Sequence, residues 1–332
     1  MGHRKKHAPR RGSLAYRPRG RAASIVPTVR TWPKIYTDKP SLLGFAGFKA
    51  GLIHLITVDN VEKRPSFGKP VFNAATVICT PPISIYGIRA YGISFDGLFV
   101  LGDVYIDKSP EGLSEKKGKE SKNVDSALKK IESTLDKVIQ MSAIVSVFPK
   151  DAGLSQKKPL VFEIGVGGGD IKSRFEYLKG ILGKDVAINE IIKPGMYIDV
   201  IGITKGKGFE GPVTRFNIRR KSHKSRKSVR AVATLGPWHP ASVMYTVPRA
   251  GQRGYHQRVE YNKKVIVVSN SKEAEITPKS GFPHFGVVDG DYVIVKGSII
   301  GPAKRLIKLR LPLRPPRAKI QQPKILEISV RR

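Results

Sequence analysis

From Leu43 the chain alternates short apolar runs with glycine and proline breaks. LGFAGFKAGLIHLITV, VFNAATVICTPP and YGISFDGLFVLGDVYI are rich in β-branched and aromatic residues, so they read as strands. A helical period then takes over. Val124, Leu128, Ile131, Leu135 and Val138 share one face and predict a helix near Val124 to Met141, with Asn123 as its N-cap. AIVSVF, stopped by Pro149, and LVFEIGV are strands again. The second leads through GGGD into a helix near Ile171 to Leu182, with Ile171, Phe175, Leu178 and Leu182 as its stripe and Gly183 placed to end it. GMYIDVIGIT, KKVIVVS, DYVIVKGSIIG and KRLIKLRL complete the strands, and no internal repeat is present. Many short strands with Gly and Pro between them predict a barrel or a sandwich rather than a helical bundle.

One stretch has no such period. Lys205 to Lys264 joins two strands but contains fifteen Lys or Arg against two acids, Glu210 and Glu260. Phe209, Phe216, His223, Trp238, His239, Tyr245, Tyr255 and His256 sit among the charges, and glycines and prolines punctuate them. Such a segment buries too little apolar surface to offset its ordering entropy alone, so a polyanion is expected to order it. Residues 1–30, with nine Lys or Arg and no acid, read as an extended, unpaired arm. From Pro302 onward there are ten Lys or Arg and one acid. Between Asp103 and Glu190 fourteen acids nearly balance fifteen bases, so this block is expected to face solvent or protein.

The whole chain of 332 residues carries 60 Lys plus Arg against 26 Asp plus Glu, a net charge of +34 that calls for a polyanion. Nucleic acid fits better than an anionic membrane, because no amphipathic basic helix and no lipidation signal occur. Lys49 and His54 break the run from Leu42 to Val58, so no transmembrane helix is expected. The basic N-terminus lacks the apolar core of a secretory signal. The lone Cys79 excludes an intrachain disulfide and a Cys-rich zinc site; it reads as a small buried residue, and a reducing cytosol suits it. His54 is expected to be a partly buried strand residue.

FEIGVGGGD, Phe162 to Asp170, has the strand–glycine turn–helix order of a phosphate cradle and looks like a methyltransferase glycine motif. The further βα units of a doubly wound fold do not follow, which leaves a tight turn. KGKGFEG lacks the Gly-Lys-Ser/Thr ending of a P-loop, but its backbone and Lys205 and Lys207 suit close approach to phosphates. His239 and His256 have no carboxylate near in sequence to orient them, which favours contact with bases over acid–base work. Trp238, between prolines, reads as an exposed stacking platform. Three functions stand open on the residues: a structural RNA-binding protein, an RNA methyltransferase using Gly165 to Asp170, and a DNA-compacting protein.

Long strings in order along the chain resemble the universal large-subunit ribosomal protein L-three family, in its archaeal/eukaryotic branch. They are RRGSLAYRPR, LGFAGFKAGLIH, VICTPP, GVGGG, KPGMYIDVIGITKGKGFEGPVTRF, GPWHPASVMYTVPRAGQRGYHQRVEYNKK and KGSIIGPAKRL. The resemblance implies a mainly β fold with an α/β insert: a closed β-barrel of the kind shared with translation factors, plus long basic extensions. It divides the chain into an N-terminal arm (1–42), barrel parts at 43–106, 195–204 and 265–311, an α/β insert (107–194), a central extension (205–264) and a basic tail (312–332). It implies no catalysis and no cofactor, a cytoplasmic, ribosomal location, and large-subunit rRNA (mainly the 3′ region) and neighbouring ribosomal proteins as partners, with tRNA met indirectly. It further implies early subunit assembly and an extension tip near the peptidyl transferase centre. The positions expected on rRNA are Arg4, Lys5, Lys6, Arg10, Arg11, Arg17, Arg19 and Arg21 in the arm. In the extension they are Lys205, Lys207, Arg215, Arg219, Arg220, Lys221, His223, Lys224, Arg226, Trp238, His239, Arg249, Arg253, Tyr255, His256 and Arg258.

Overall fold

The apolar runs become strands, and the order of their pairings closes on itself. The structure, a computed structural model, describes residues 11–62, 64–106, 124–239, 241–316 and 321–329. Arg4, Lys5, Lys6, Arg10, the cap Asn123 and residues 107–123 lie outside these. In chain order the elements are β1 (Ser41–Leu42), β2 (Gly44–Val58), β3 (Pro70–Cys79), β4 (Ile83–Ser94) and β5 (Gly97–Tyr105), then α1 (Val124–Ser133). Next come β6 (Gln140–Val147), β7 (Leu160–Gly167), α2 (Ile171–Ile181), β8 (Asp185–Val186) and β9 (Tyr197–Ile203). The basic stretch contributes β10 (Gly206–Glu210), α3 (Pro212–Phe216) and β11 (Gly251–Gly254). The chain ends through β12 (Gln257–Asn270), β13 (Asp291–Lys296), β14 (Leu306–Arg310) and β15 (Ile325–Ser329).

The fold is mainly β, and the chain divides into two compact units. The larger comprises Val26–Gly202 and Arg258–Arg332. In one of its sheets the strand order is β14-β9-β12-β13-β3-β2, and β2 pairs back onto β14, so six strands form a ring. The fifteen residues of β2 make this possible. One edge of β2 pairs with β3 from Phe48 to Val58; the other takes β14 at Gly44–Phe48 and β15 at His54–Thr57. β15 falls in the expected basic tail, where no strand was anticipated; the alternation in ILEIS is its only signal.

A second sheet has the order β1-β7-β6-β4-β5, with β8 beside β4. β4 and β5, expected with residues 43–106, thus run with strands from 140–167. The sheet changes at Pro81 and Pro82, which have no amide to continue a ladder, directly after the last ring bond, Thr80 N–H to the Asp291 carbonyl at 2.8 Å. Trp32 fills the space over Gly44 of β2 and Gly165 of β7, where a Cβ at either glycine meets its ring within 3.0 Å. One continuous apolar cluster includes Phe45, Phe48 and Ile294 of the ring and Ile88, Val145 and Ile164 of the second sheet.

α1 stops at Ser133 rather than near Met141, because Thr134 turns its hydroxyl onto the Lys130 and Ile131 carbonyls and Met141 belongs to β6. α2 ends as expected, with Gly183 at φ 81°. Cys79 is buried, which pushes its thiol up to about 12. His54 is exposed, not half-buried: its neighbours Ile53 and Leu55 take the inward face, and its ring stacks on Phe72 at 4.9 Å.

Two cations are buried on β14. Arg310 is 4% exposed and pairs with the fully buried Asp199 of β9 at 2.7 Å, while donating to the Thr31 carbonyl at 2.7 Å. The Asp199 carboxylate also accepts the Asn262 and Leu313 amides at 3.0 and 3.1 Å, so the carboxylate is well satisfied, while Arg310 Nε is left without a partner. Lys308 has no such carboxylate; its ammonium lies 4.2 Å from the centre of the Phe162 ring, and burial pushes it down to about 7. A base whose folded value lies below its unfolded one binds fewer protons when folded, so stability rises with pH between the two values, here from about 7 upward. We therefore expect the urea unfolding midpoint to climb from pH 7 to 8, below the range where Cys79 contributes the opposite slope. Lys308→Met should flatten that climb and add roughly 1–4 kcal/mol at pH 7; a flat profile for the unsubstituted protein would contradict the assignment.

Candidate nucleic-acid interface

The smaller unit comprises Met1–Ile25 and Ile203–Gln257. It holds twenty Lys or Arg and one acid, Glu210, so 80 residues carry +19 of the chain's +34. Its stem is the antiparallel pair β10–β11, with Gly206 opposite Gly254 and Phe209 opposite Gln252. GKGFE is thus a strand with Lys207 and Phe209 exposed, and Lys205 is exposed just before it. The backbone needs glycine at 254: φ is +73°, and a Cβ there would run into the Lys205 carbonyl oxygen. Pro212 opens α3, and Asn217 at φ 51° closes it, which leaves Phe216 5% exposed beneath the stem.

The described part of the arm, from Arg11 onward, is not unpaired. Arg215 donates from Nε to the Gln252 carbonyl at 3.0 Å, from Nη1 to Arg249 at 3.1 Å and from Nη2 to Arg19 at 3.3 Å. Arg19 returns a bond from Nη1 to the Arg215 carbonyl at 3.3 Å. The guanidinium carbons of Arg17, Arg19 and Arg215 lie 5.2, 4.3 and 5.2 Å from the Phe216 ring centre. Burial, then the nearby Arg17, push the Arg215 guanidinium below its usual range.

His256 completes the tie. Its Nδ1 lies 2.8 Å from the Gly20 carbonyl oxygen, and its Nε2 accepts the Gly254 amide at 3.1 Å. A carbonyl only accepts, so Nδ1 carries the proton and the ring is the neutral Nδ1–H tautomer. The Thr204 amide donates to the His256 carbonyl at 3.0 Å, the His256 amide donates to the Thr204 hydroxyl oxygen at 3.1 Å, and the Ala22 amide donates to the Tyr255 carbonyl at 2.8 Å.

The expected RNA contacts therefore separate into two groups. Arg17, Arg19, Arg215, Tyr255 and His256 organise the unit itself, and Arg253 is paired with Glu210 at 2.7 Å. Arg258 lies in β12, within the larger unit, because the strand starts well before Lys264. Arg11, Arg21, Lys205, Lys207, Arg219, Arg220, His223, Lys224, Arg226, His239 and Arg249 are exposed, and Lys221 is half-buried. Trp238 is 87% exposed, as a stacking platform requires. From 217 to 250 no helix or strand occurs among the described residues. Sequence reasoning missed Phe216 as the hub; a buried aromatic directly after an arginine in TRF was the available sign.

The glycine turn of FEIGVGGGD packs against residues 37–39, where a Cβ on Gly168 would run into the Lys39 carbonyl oxygen and the Thr37 hydroxyl. The Gly169 amide donates to the Thr37 carbonyl at 2.6 Å, and Arg174 donates to the carbonyls of Gly168 and Gly169 at 2.8 and 3.1 Å. With the Gly169 amide bonded within the chain, the segment fits a tight strand-to-helix turn better than a phosphate cradle. Among the described residues no group of three His, Cys, Asp or Glu is placed to hold a metal ion, and no helix is long and apolar enough to cross a membrane.

A family profile described as Ribosomal protein L3 matches residues 1–330. A protein called large ribosomal subunit protein uL3 from Methanococcus vannielii is 43% identical over 327 residues, covering 98% of this chain and 97% of its own. Proteins of the same name from Methanothermobacter thermautotrophicus and Caldivirga maquilingensis are 42% and 43% identical, covering 97% and 98% of this chain and 97% and 96% of theirs.

Gly254→Ala should strain the left-handed backbone and displace Lys205, at a cost of about 1–3 kcal/mol to the stem. Amide exchange at Ala22 and Tyr255 should accelerate together, because one tie holds both; unchanged protection at either would mean that the arm is held elsewhere.

Proposed function

The chain belongs to the ribosomal protein L3 family, and from that premise we propose that it is a structural constituent of the large ribosomal subunit, bound to large-subunit rRNA. The observation that carries this reading is the charge of the smaller unit: +19 on 80 residues, with its only acid already paired to Arg253. Only a polyanion balances such a surface, and binding it releases counterions. The exposed Arg219, Arg220, Lys224 and Arg226 supply phosphate contacts, and Trp238 and His239 supply faces for unpaired bases, on the order of 1–3 kcal/mol each.

In this reading the six-strand ring is a closed, translation-protein-like β-barrel that anchors the protein on the RNA surface, and the α/β insert (107–194), whose strands share the second sheet with β1, β4 and β5, faces neighbouring ribosomal proteins. The smaller unit reaches into the 3′ region of the rRNA during early assembly. Its Trp238 tip then approaches the peptidyl transferase centre, where tRNA is met indirectly. The protein performs no catalysis of its own and needs no cofactor, and its family places it with the archaeal-type ribosomal proteins of the cytoplasm.

The protein should co-sediment with large subunits through moderate salt; recovery only in free, low-mass fractions, or equal affinity for duplex DNA at matched salt, would contradict the reading. Replacing Lys205 and Lys207 together with Gln should lower the slope of log affinity against log salt by about 2. Trp238→Ala should leave the ring folded and impair tRNA selection or peptide transfer in reconstituted ribosomes, whereas wild-type behaviour would make Trp238 mere packing.

A further inference from the structure

One end of the ring carries a second basic feature, far in sequence from the extension tip. The loop between β2 and β3, the middle of β12, the last residue of β13 and Pro323 line a hollow of about 370 Å³. Four cations line it, Arg64, Lys263, Lys264 and Lys296, with one acid, Asp59. Two of these five are already committed. Lys263 pairs with Glu260 at 2.8 Å and donates to the Ser298 carbonyl at 2.9 Å. Asp59 is held by its own loop, accepting the Ser66 hydroxyl at 2.5 Å and the Val61 amide at 3.2 Å.

That leaves three cations around a partly enclosed space. Arg64 approaches the committed Asp59 only to 3.7 Å and is exposed. Lys296 is exposed at the end of its strand. Lys264 is half-buried, and its Nζ lies 3.4 Å from a neutral partner, the Asn60 side-chain oxygen. Desolvation, then the neighbouring Lys296, push the Lys264 ammonium below its ordinary value, with Asp59 opposing and Arg64 adding to the shift. Three like charges crowd here with one carboxylate between them, and a concave wall focuses their field.

We propose that this hollow is a phosphate-binding site: it takes a phosphodiester of the RNA backbone, with Lys264 as the inner contact and Lys296 and Arg64 closing on it from the rim. The site rests on the reading of the chain as an rRNA-binding protein and deepens it. It gives the ring a grip of its own, on strands whose ladder bonds fix the lysines in place, rather than on a segment without regular structure.

The test is phosphate-ethylation interference with the full-length protein on a large-subunit rRNA fragment that it binds, with Lys264→Gln/Lys296→Gln compared against Lys205→Gln/Lys207→Gln. Ethylation at one or two phosphates should block the unsubstituted protein but not the ring variant, and the salt slope of the ring variant should fall by about 2. The stem variant should be relieved at different phosphates. Should the ring variant fail to fold, judged by its thermal midpoint, the exposed pair Arg64→Gln/Lys296→Gln carries the same comparison. An unchanged interference pattern and slope overturn the site. If inorganic phosphate raises the melting temperature of the unsubstituted protein but not of the ring variant, while interference stays unchanged, the hollow holds a free anion and RNA is excluded as its ligand. Failure of the unsubstituted protein to bind any rRNA fragment sinks the wider reading instead, so the two failures are told apart.

Discussion

A unit with twenty cationic side chains and one carboxylate cannot be organised by ion pairs. Backbone carbonyls and an aromatic face do the work instead. Arg215 has its donors on three carbonyls, Arg19 returns a bond, and three guanidinium groups gather on Phe216. Hydrogen bonds from charged donors contribute about 1.5–3 kcal/mol each, and a cation over a ring about 0.5–2 kcal/mol. Neither neutralises charge. The smaller unit can therefore hold its shape and keep its whole field for an external polyanion, which carboxylate pairing would have cancelled.

The larger unit handles its cations in the opposite way. Arg310 is closed off by Asp199. Arg89 forks onto Asp103 at 2.7 Å and also reaches Glu163, whose other oxygen takes the Tyr91 hydroxyl at 2.6 Å. Lys49 bonds the carbonyls of Ile299 and Gly301 at 2.6 and 2.9 Å. Arg89 and Arg310 are thus neutralised by carboxylates, although the larger unit as a whole still carries +15. The cations of the β2–β3 loop and the neighbouring ends of β12 and β13 depart from that rule.

Strand and helix positions were largely legible, since apolar period decides them: β7 and α2 fall within a residue or two of expectation. What the chain order hid was partnership. Nothing near Ile83 shows that it leaves the ring; the two prolines before it allow a change of sheet but do not require one. β15 was masked by the lysines and arginines around it. Within the basic stretch, composition revealed the charge but not its division of labour. Arg215 and Arg220 look alike in sequence, yet one faces carbonyls of its own unit and the other faces solvent, and only the left-handed turn at Asn217 separates their surroundings. His256 was read as a base contact because no carboxylate lies near it in sequence; Gly254 is beside it, but the Gly20 carbonyl that fixes its ring is most of the chain away.

The ring also sets a timetable for biosynthesis. β2 is made early, but the strand that closes it, β14, begins at Leu306, and β15 follows later still. Loop-closure entropy makes such distant pairings slow. Until the last few dozen residues emerge, a nascent chain presents β2 and β9 as raw sheet edges when all twenty cationic side chains of the smaller unit are already made, a combination prone both to aggregation and to indiscriminate capture of nucleic acid. The C-terminal strands thus act as a latch: a messenger truncated shortly before their codons would yield a sticky polypeptide rather than a slightly shortened protein.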